Sequence, residues 1–251
     1  MNNVIRMRLD KFVAKTGLGS RTEVRKLIRS GQVTVDGVVI KDRSFTLNSQ
    51  TAKVMASGTE LEYRGYHYLM LNKPPGVISA TEDKLHATVL ELLPPTYQHL
   101  KLFPVGRLDK DTQGLLLLTD DGQLAHNLLA PKKHVPKTYL ALVQGLVDKD
   151  NQEAFAKGIP LSDFITLPAQ LEILEAGPQS QVEVTICEGK FHQVKRMFHA
   201  VGKEVLALTR IRFGPLSLDA KLAPGDSREL TPEELTLLQE WRQDNEPLLH
   251  S

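Results

Sequence analysis

The spacing of apolar residues changes along the chain and predicts two kinds of local structure. Between Met7 and about Arg43, apolar positions recur three and four residues apart, then alternate on both sides of Asp36-Gly37. The first spacing is typical of amphipathic helices, and alternation around Asp-Gly is typical of a hairpin with a type I′ turn. From Tyr66 onward, short apolar runs separated by turn residues predict mainly strands, with a few helices between them. The whole pattern predicts an α+β protein.

Two helices are predicted near the N-terminus. The first places Leu9, Phe12 and Val13 on one face. The sequence Ser20-Arg21-Thr22-Glu23 has the form of a capping box, which predicts the start of the second helix. In that second helix the apolar positions point inward and the basic residues are left on the outer face. The inward residues are Val24, Leu27 and Ile28.

The most apolar run of the chain, Leu115 to Leu118, predicts a strand buried on both faces, ended by a turn at Asp120-Asp121-Gly122. A strand of this kind lies in the middle of a sheet, so the loop before it is expected to be held by a rigid core. That loop carries a dense polar cluster, which consists of Arg107, Asp109, Asp111 and Thr112. Structural ion pairs also gather at such places, and composition alone leaves open whether the cluster is a site or a solvated turn.

A second stiff turn, Asn72 to Gly76, follows the strand predicted from Tyr66, and its prolines fix the direction of Lys73. Val89 to Leu93 is predicted as a short helix, and Thr231-Pro232-Glu233-Glu234 as the start of the last helix. The predicted organisation is a small domain over residues 1–62, a larger domain over 63–244 and a polar tail over 245–251.

Charge is balanced over the whole chain but not along it. The 251 residues include 31 lysines and arginines against 30 aspartates and glutamates. Residues 1–43 alone hold ten basic residues against four acidic ones. Glu23, the one acid of the second helix, is used in its cap, so the basic face is not neutralised. An excess of this kind points to a polyanionic partner.

Several classes of protein are excluded by what the sequence lacks. Cys187 is the single cysteine, so no internal disulfide can form and no zinc-ligand pattern is present. No apolar run reaches the length of about 20 residues that a membrane span needs, and charged residues interrupt the N-terminus where a signal peptide is apolar. P-loop and dinucleotide-binding fingerprints are missing as well. We therefore expect a cytoplasmic protein that contacts no membrane and uses no metal and no cofactor.

Two interpretations of the polar loop rest on its aspartates alone. Asp109-Lys110-Asp111-Thr112 resembles the nucleophile loop of haloacid-dehalogenase-type phosphatases, but the threonine comes one place early and Pro104 and Gly106 break the preceding strand. A calcium loop would need oxygen ligands farther along the chain, where Leu115 to Leu118 offer none.

A longer match involves the same loop. The run Gly-Arg-Leu-Asp-x-x-Thr-x-Gly-Leu-Leu-Leu-Leu-Thr-x-Asp-Gly, here Gly106 to Gly122, resembles the active-site signature of the pseudouridine synthases related to ribosomal small subunit pseudouridine synthase A. The resemblance implies that Asp109 is the catalytic residue, acting covalently or by abstracting a proton. It also implies that Arg107 fills the gap left by a flipped nucleotide and that Thr112 binds substrate.

Two further motifs of the same family follow. Lys137-Thr138-Tyr139 resembles the motif whose tyrosine packs on the target uracil, and Glu188 to Phe198 resembles the motif whose basic residue pairs with the catalytic aspartate. The resemblance implies that Tyr139 and Lys195 complete the catalytic set, and it leaves open whether Lys195 or Arg196 makes that pair. The implied substrate-binding residues of this motif are Val194 and Arg196. The implied fold is a mixed, largely antiparallel α/β catalytic domain.

The N-terminal segment resembles a different family. Met7 to Phe12, Ser20-Arg21 and Gly31 to Gly37 are similar to the α-L RNA-binding domain first seen in ribosomal protein S-four. In that family a basic helix surface grips structured RNA through its phosphates. The resemblance implies RNA contacts by the outward basic residues Arg8, Lys11, Arg21, Arg25, Lys26 and Arg29.

Together the motifs imply an enzyme that isomerises uridine to pseudouridine in ribosomal RNA. Its expected partner is ribosomal RNA or an assembling ribosomal subunit, its expected target is small-subunit RNA, and it is expected to be a monomer. Two alternatives stay open: a synthase of the same family that modifies large-subunit RNA, and a non-catalytic RNA-binding assembly factor. Asp109 with Lys195 and Tyr139 distinguishes the enzyme from the binding protein, because binding alone does not require them.

Overall fold

The computed structural model describes residues 6–61 and 65–244 of the chain. These residues form two compact units, which are described separately. The N-terminal unit extends to His67 and includes residues 93–102. The C-terminal unit consists of residues 68–92 and the chain from Phe103 onward.

The N-terminal unit is built from two helices and short antiparallel strands. In chain order its elements are β1 (Arg6–Arg8), α1 (Leu9–Lys15), α2 (Arg21–Arg29), β2 (Val33–Val35), β3 (Val38–Val39), β4 (Thr46–Asn48), β5 (Val54–Ala56) and β6 (Thr59–Leu61). In the described part of this unit, β1 pairs with β4, and four strands form a sheet in the order β3-β2-β5-β6. Both helices turn their apolar faces to one core, where Phe12, Val24 and Ile28 are buried with Val33.

Local sequence signals account for the ends of these elements. The Ser20 hydroxyl accepts a hydrogen bond from the backbone N–H of Glu23 at 3.3 Å, and the Glu23 carboxylate accepts one from the backbone N–H of Ser20 at 2.7 Å. The predicted capping box is therefore confirmed. Asp36 and Gly37 have φ angles of 51° and 82°, the left-handed conformations that a type I′ turn needs, and the predicted hairpin is confirmed too.

The chain just before Phe103 differs from its prediction. Residues 89–93 form turns, so the helix predicted there is wrong. Pro94 and Pro95 follow at once, and a residue that precedes proline is disfavoured in the helical region. Residues 93–102 group with the N-terminal unit, where the carbonyl oxygen of Thr96 lies 3.3 Å from the position of a Cβ on Gly17. The boundary predicted at residues 62–63 and the tail predicted over 245–251 fall outside the described residues.

The C-terminal unit is one large sheet covered by helices. In chain order its elements are β7 (Tyr68–Lys73), β8 (Phe103–Pro104), β9 (Gln113–Thr119), α3 (Gly122–Leu129), β10 (Lys137–Gln144), α4 (Lys149–Lys157), β11 (Gln170–Glu175), β12 (Gln179–Ile186), α5 (Gln193–Ala200), β13 (Glu204–Phe213), β14 (Leu216–Ser217), β15 (Ser227–Glu229) and α6 (Pro232–Asp244). Within the described residues the strand order is β11-β12-β10-β13-β9-β7-β15, with β14 on β13 and β8 on β9. Neighbours are antiparallel except β9 and β13, which confirms the mixed, largely antiparallel fold.

Strand β9 lies inside this sheet, between β7 and β13. The leucines from Leu115 to Leu118 are fully buried, so the prediction from the apolar run is confirmed. The parallel contact brings Gly114 opposite Arg210 of β13. Gly114 has a φ angle of 100°, and a Cβ at this position would stand 2.3 Å from the carbonyl oxygen of Arg210. Only glycine therefore allows the two strands to meet here.

Helices α3 and α6 cover one core of this unit. Leu124 and Leu128 of α3 are buried there together with Leu238 of α6. Helix α6 starts as predicted, because Thr231 accepts a hydrogen bond from the N–H of Glu234 at 3.2 Å and donates its own N–H to the Glu234 carboxylate at 2.8 Å. None of the helices in the described ranges 6–61 and 65–244 is long and apolar enough to cross a membrane.

Candidate active site

The loop between β8 and β9 is anchored to the sheet at both ends. The N–H of Val105 donates to the carbonyl of Leu117 at 2.8 Å. The Ser79 hydroxyl both donates to the carbonyl of Leu108 and accepts from its N–H, each at 3.0 Å. The N–H of Thr112 donates to the carbonyl of Asp109 at 3.1 Å, which closes the loop on itself. Asp109 is thus carried by a backbone with several fixed points.

Lys73, the last residue of β7, anchors the same loop through hydrogen bonds from its side chain. Its side chain is fully buried, and its ammonium donates to the carbonyls of Thr112 at 2.9 Å, Pro74 at 3.1 Å and Lys110 at 3.3 Å. Burial lowers the pKa of Lys73 to about 8, while the charges of Asp111 and Asp109 act in the opposite direction. The turn at Pro74 and Pro75 thus follows a buried lysine whose ammonium binds the backbone of the β8–β9 loop.

Two basic side chains lie on either side of Asp109. Nε2 of His192 is 3.5 Å from Oδ1 of Asp109, and Nζ of Lys195 is 3.9 Å from Oδ2. Lys195 binds more closely to Asp111, at 2.6 Å from each of its carboxylate oxygens. Donation by Lys195 lowers the pKa of Asp111. The Asp109 carboxylate keeps 28% of its surface exposed, so it remains open to a ligand.

A cleft opens beside this group, and the space inside it, open solvent included, is about 400 Å³. Six of the residues predicted from the motifs line it together: Arg107, Asp109, Thr112, Tyr139, Val194 and Lys195. They come from the β8–β9 loop, from strand β10 and from the start of helix α5. The fold therefore brings into one place residues that lie far apart in the sequence.

Tyr139 and Thr112 present different chemistry to the cleft. Tyr139 is 8% exposed on β10 and stands opposite Arg210 in the pairing of β10 with β13. The Thr112 hydroxyl is buried and has no hydrogen-bond partner. Val194 and Leu208 add apolar surface to the same cleft. The cleft thus offers an aromatic ring, an unused hydroxyl group and aliphatic walls around one carboxylate.

Arg196 takes a different direction from Lys195. Its guanidinium pairs with Asp163 and lies 3.4 Å from the Ser162 hydroxyl. Arg196 also stacks over Phe164, with 5.4 Å between its guanidinium carbon and the ring centre. It does not line the cleft. Of the two candidates for the pair with Asp109, Lys195 is the one that the structure places beside it.

The basic residues predicted to bind RNA lie on the surface of the N-terminal unit. All six are exposed, namely Arg8, Lys11, Arg21, Arg25, Lys26 and Arg29. Arg8 is engaged with Asp10 through two hydrogen bonds, of 2.7 and 3.1 Å. The apolar residues of α2 face the core, so its arginines and lysine face outward as predicted.

Sequence reasoning missed several groups at this site. His192 stands within the matched motif, and its position next to Asp109 could have been suspected from that alone. Asp111 lies on the predicted loop, but nothing in the motif shows that Lys195 would prefer it to Asp109. Arg210 lies in a central strand and is 2% exposed, and a charged residue at such a position is a signal for a buried acceptor, here the carbonyl of Leu115. In the described ranges 6–61 and 65–244, no group of three or more His, Cys, Asp or Glu side chains could hold a metal ion.

Sequence families account for both units. Residues 67–200 match the family described as RNA pseudouridylate synthase. Residues 7–51 match the S4 domain. The first match contains the cleft-lining residues from the β8–β9 loop to the start of α5, and the second contains both N-terminal helices.

Similar proteins span nearly the whole chain. An uncharacterized RNA pseudouridine synthase of Bacillus subtilis (strain 168) is 48% identical over 93% of this chain and 99% of its own length. Proteins named ribosomal small subunit pseudouridine synthase A are 45% identical in Salmonella typhimurium and 44% identical in Escherichia coli K12, each over 91% of this chain and 98% of its own. A crystal structure of a pseudouridylate synthase is 38% identical, with a TM-score of 0.65, over 92% of this chain and 99% of the solved one.

Proposed function

The chain belongs to the RNA pseudouridylate synthase family, and we propose that it converts a uridine of small-subunit ribosomal RNA to pseudouridine. The family isomerises uridine to pseudouridine in ribosomal RNA, so the chain is an isomerase of that class. The small-subunit target is supported by the relatives named for it, which match 98% of their own length. The observation that carries the proposal is the meeting of Asp109, Tyr139 and Lys195 in one cleft.

The reaction conserves every atom of the uridine. The bond between N1 of the uracil and C1′ of the ribose breaks, the base turns, and a new bond forms between C5 and C1′. C5 then loses its proton and N1 gains one, so the net proton count is unchanged. The reaction needs a carboxylate near the sugar, a surface that holds the detached base and a group that moves the C5 proton.

Asp109 is the group that acts at the ribose, either by attack on C1′ or by removal of a ribose proton. Its exposed carboxylate points into the cleft, and Lys195 at 3.9 Å and His192 at 3.5 Å supply positive charge or hydrogen bonds on either side. Lys195 is in turn fixed by Asp111, so its ammonium is held in position before substrate arrives.

The base is held by the other walls of the cleft. The ring of Tyr139 replaces the stacking that a flipped uracil loses, which is worth about 1–3 kcal/mol per base. The unpartnered hydroxyl of Thr112 can bond a uracil carbonyl or imide, and Val194 packs against the ring. Arg107, exposed at the cleft, fills the space that the base leaves in the RNA. Arg196, held on Asp163, lies outside this set.

The N-terminal unit supplies sequence-independent affinity for RNA. Exposed arginines and lysines of α1, α2 and β1 bind phosphates, which positions structured RNA without reading its bases. The S4 domain match over residues 7–51 supports this role. Affinity from such contacts falls as salt rises, because phosphate binding releases counterions.

We place the enzyme in the cytoplasm, as a monomer that acts on ribosomal RNA or on an assembling subunit. Sedimentation of the purified protein at micromolar concentration should give the mass of one chain.

Tritium release tests the reaction and its target together. The protein is incubated with small-subunit and large-subunit ribosomal RNA that carry tritium at C5 of uridine, and the modified position is then mapped. We expect release from small-subunit RNA at one main position. Release from large-subunit RNA alone would reassign the target, and no release from either RNA or from assembling subunits would leave only RNA binding.

A further inference from the structure

A second cavity, which we call the neighbouring cavity, adjoins the active-site cleft. It lies between strand β10, helix α3 and the start of the β8–β9 loop, and the space inside it, open solvent included, is about 880 Å³. Four residues line both spaces: Arg107, Tyr139, Gly189 and Lys190. Tyr139 thus stands between the two, and a chain that places one group in the cleft can place the next in the cavity. No step of the reaction described above uses this space.

Two of the cations that line the neighbouring cavity, Lys137 and Arg210, are partly or fully buried and have no carboxylate partner in the described residues. Nζ of Lys137 donates to the carbonyl of Val135 at 2.7 Å. Arg210 is 2% exposed; its Nε donates to the carbonyl of Leu115 at 2.8 Å, and its Nη2 has no hydrogen-bond partner. Burial, together with the charge of Arg210, lowers the pKa of Lys137 to about 8, although Cys187 and Glu188 act in the opposite direction.

Among the described residues, Glu188 is the one carboxylate that lines the cavity, and it already accepts hydrogen bonds. Its Oε2 accepts from the Leu167 N–H at 3.0 Å and from Nε2 of Gln193 at 2.7 Å. The ring of Phe213 lies under both cations, 4.9 Å from the guanidinium of Arg210 and 5.8 Å from Nζ of Lys137. Buried positive charge is normally matched by an anion or by several acceptors. The cavity therefore suits an occupant that presents hydrogen-bond acceptors.

The remaining walls are apolar, which decides what kind of acceptor fits. Val105, Leu128 and Val135 are buried around the cavity. Leu129 and Leu167 at its edge are 43% and 37% exposed and leave apolar surface open to an occupant. A phosphate gains nothing from such walls and is better solvated outside. A nucleobase gains from them through its faces, while its edge meets the cations.

We propose that the neighbouring cavity binds a second nucleobase of the RNA, adjacent to the target uridine, through an acceptor edge that faces Lys137. This inference rests on the proposed function, because the target uridine defines which base is adjacent. Guanine presents two neighbouring acceptors, N7 and O6, that basic side chains recognise, whereas adenine places a donor beside N7. The cavity would then select the sequence around the target, which the phosphate contacts of the N-terminal unit cannot do.

The proposal is tested by combining single changes in the RNA with single substitutions in the protein and asking whether their effects are independent. The RNA is a fragment around the mapped uridine, in which each flanking nucleotide in turn is made abasic. The proteins are the wild type, Lys137→Met and Leu167→Ala, with Lys132→Met as a control. Lys132 is an exposed lysine of the same segment that does not line the cavity, so its replacement removes the same charge. The value of kcat/KM is measured for every pair.

We expect one abasic position to lower kcat/KM of the wild type by about 10- to 100-fold, the range of one stacked base. The same abasic position should lower kcat/KM of Lys137→Met and Leu167→Ala by a clearly smaller factor, because these variants have already lost part of the contact between the cavity and the base. In Lys132→Met the abasic penalty should equal that of the wild type. Leu167 is exposed, so its variant gives a second reading if Lys137→Met fails to fold.

Two results would overturn the proposal. The first is an abasic penalty that stays the same in all four proteins. The second is a Lys137→Met effect that disappears when a flanking phosphate is replaced by a neutral methylphosphonate rather than when a base is removed, since the cavity would then hold a phosphate. Failure of the proposed function looks different: the wild type would form no pseudouridine in any ribosomal RNA. If the wild type forms pseudouridine but the abasic penalty is the same in all four proteins, only the proposal of a second bound base is refuted.

Discussion

Asp109 and Asp111 stand two residues apart on the same loop but have different surroundings. Lys195 forms a close ion pair with Asp111, whose side chain is 72% exposed, and only approaches Asp109. We expect Asp109→Asn to lower turnover by about 10⁴-fold or more, because the side chain keeps its shape and loses the charge that acts at the ribose. RNA affinity should change only a few-fold. Both are measured by tritium release and filter binding.

The matched control is Asp111→Asn, which makes the same chemical change on the same loop. An exposed ion pair contributes little, so turnover should fall by at most about tenfold. Turnover of Asp109→Asn at the wild-type rate would remove Asp109 from the mechanism. If Asp111→Asn were the inactive variant instead, the two aspartates would have to exchange roles.

Tyr139 is predicted to act first by its ring and second by its hydroxyl. Tyr139→Leu should weaken RNA binding by about 1–3 kcal/mol, the worth of one stacked base, whereas Tyr139→Phe should retain most of the binding. Tyr139→Phe should turn over more slowly if the hydroxyl helps to move the C5 proton. Equal losses of binding in the two variants would indicate that the hydroxyl, not the ring, makes the contact.

At the residue scale, the motifs predict which side chains belong to the site but not which ion pairs those side chains form. Asp109, Tyr139 and Lys195 follow from their motifs, and all three line one cleft. The preference of Lys195 for Asp111 depends on distances of a few ångströms between a loop and a helix. Such distances are set by tertiary packing and leave no periodic signal in the sequence.

At the scale of elements, the parallel pairing of β9 with β13 depends on a single residue, Gly114. Its φ angle is 100°, and the nearest backbone atom would lie 2.3 Å from a new Cβ. Backbone strain at such a φ angle costs about 1–3 kcal/mol. Gly114→Ala should lower the free energy of unfolding by more than this, because the new Cβ also clashes with the backbone of β13. The site should suffer too, because β9 carries the loop with Asp109.

Gly122→Ala is the matched control for this substitution. Gly122 begins α3, and a Cβ there would meet no atom within 4 Å. Its urea midpoint should stay within the equivalent of about 0.5–1 kcal/mol of the wild type, on the stabilising side if helix propensity dominates. A small and equal effect at both glycines would mean that the two strands can separate without cost.

Elements with strong local signals were predictable, and those that depend on neighbours were not. Four leucines in a row followed by Asp-Asp-Gly favoured a short buried strand, and capping boxes marked the starts of α2 and α6. The helix predicted at 89–93 was wrong because an apolar spacing was weighed without the two prolines that follow it. The pairing of Arg210 with Tyr139 was missed because it requires the strand order β10-β13, which no short pattern specifies.

At the scale of the molecule, the order of residues along the chain and their grouping in space differ. Residues 93–102 follow the first strand of the C-terminal unit but group with the N-terminal unit. A simple boundary near residue 62 could not foresee this, because the segment has turns and no periodic pattern. Deleting residues 1–60 would also strip that segment of the unit it belongs to. Substitutions on the basic surface are therefore a cleaner test of RNA binding than truncation.

The last prediction concerns how that surface contributes to affinity. Arg25, Lys26 and Arg29 of α2 are exposed, while Val24 and Ile28 of the helix are buried, so changing the three basic residues to glutamine should leave the fold intact. If each binds a phosphate, the slope of log affinity against log salt should become shallower by about 2, since each lost contact accounts for about 0.7–0.9.

The control replaces three exposed lysines of the C-terminal unit, Lys149, Lys157 and Lys221, which line neither the cleft nor the neighbouring cavity. Both triple variants lose the same total charge, so a long-range effect of net charge would change them equally. A shallower slope in the α2 variant alone would locate the phosphate contacts on that helix. Equal slopes in both variants would place the salt-dependent contacts elsewhere on the molecule, and the resemblance of α2 to an RNA-binding helix would then have no functional consequence.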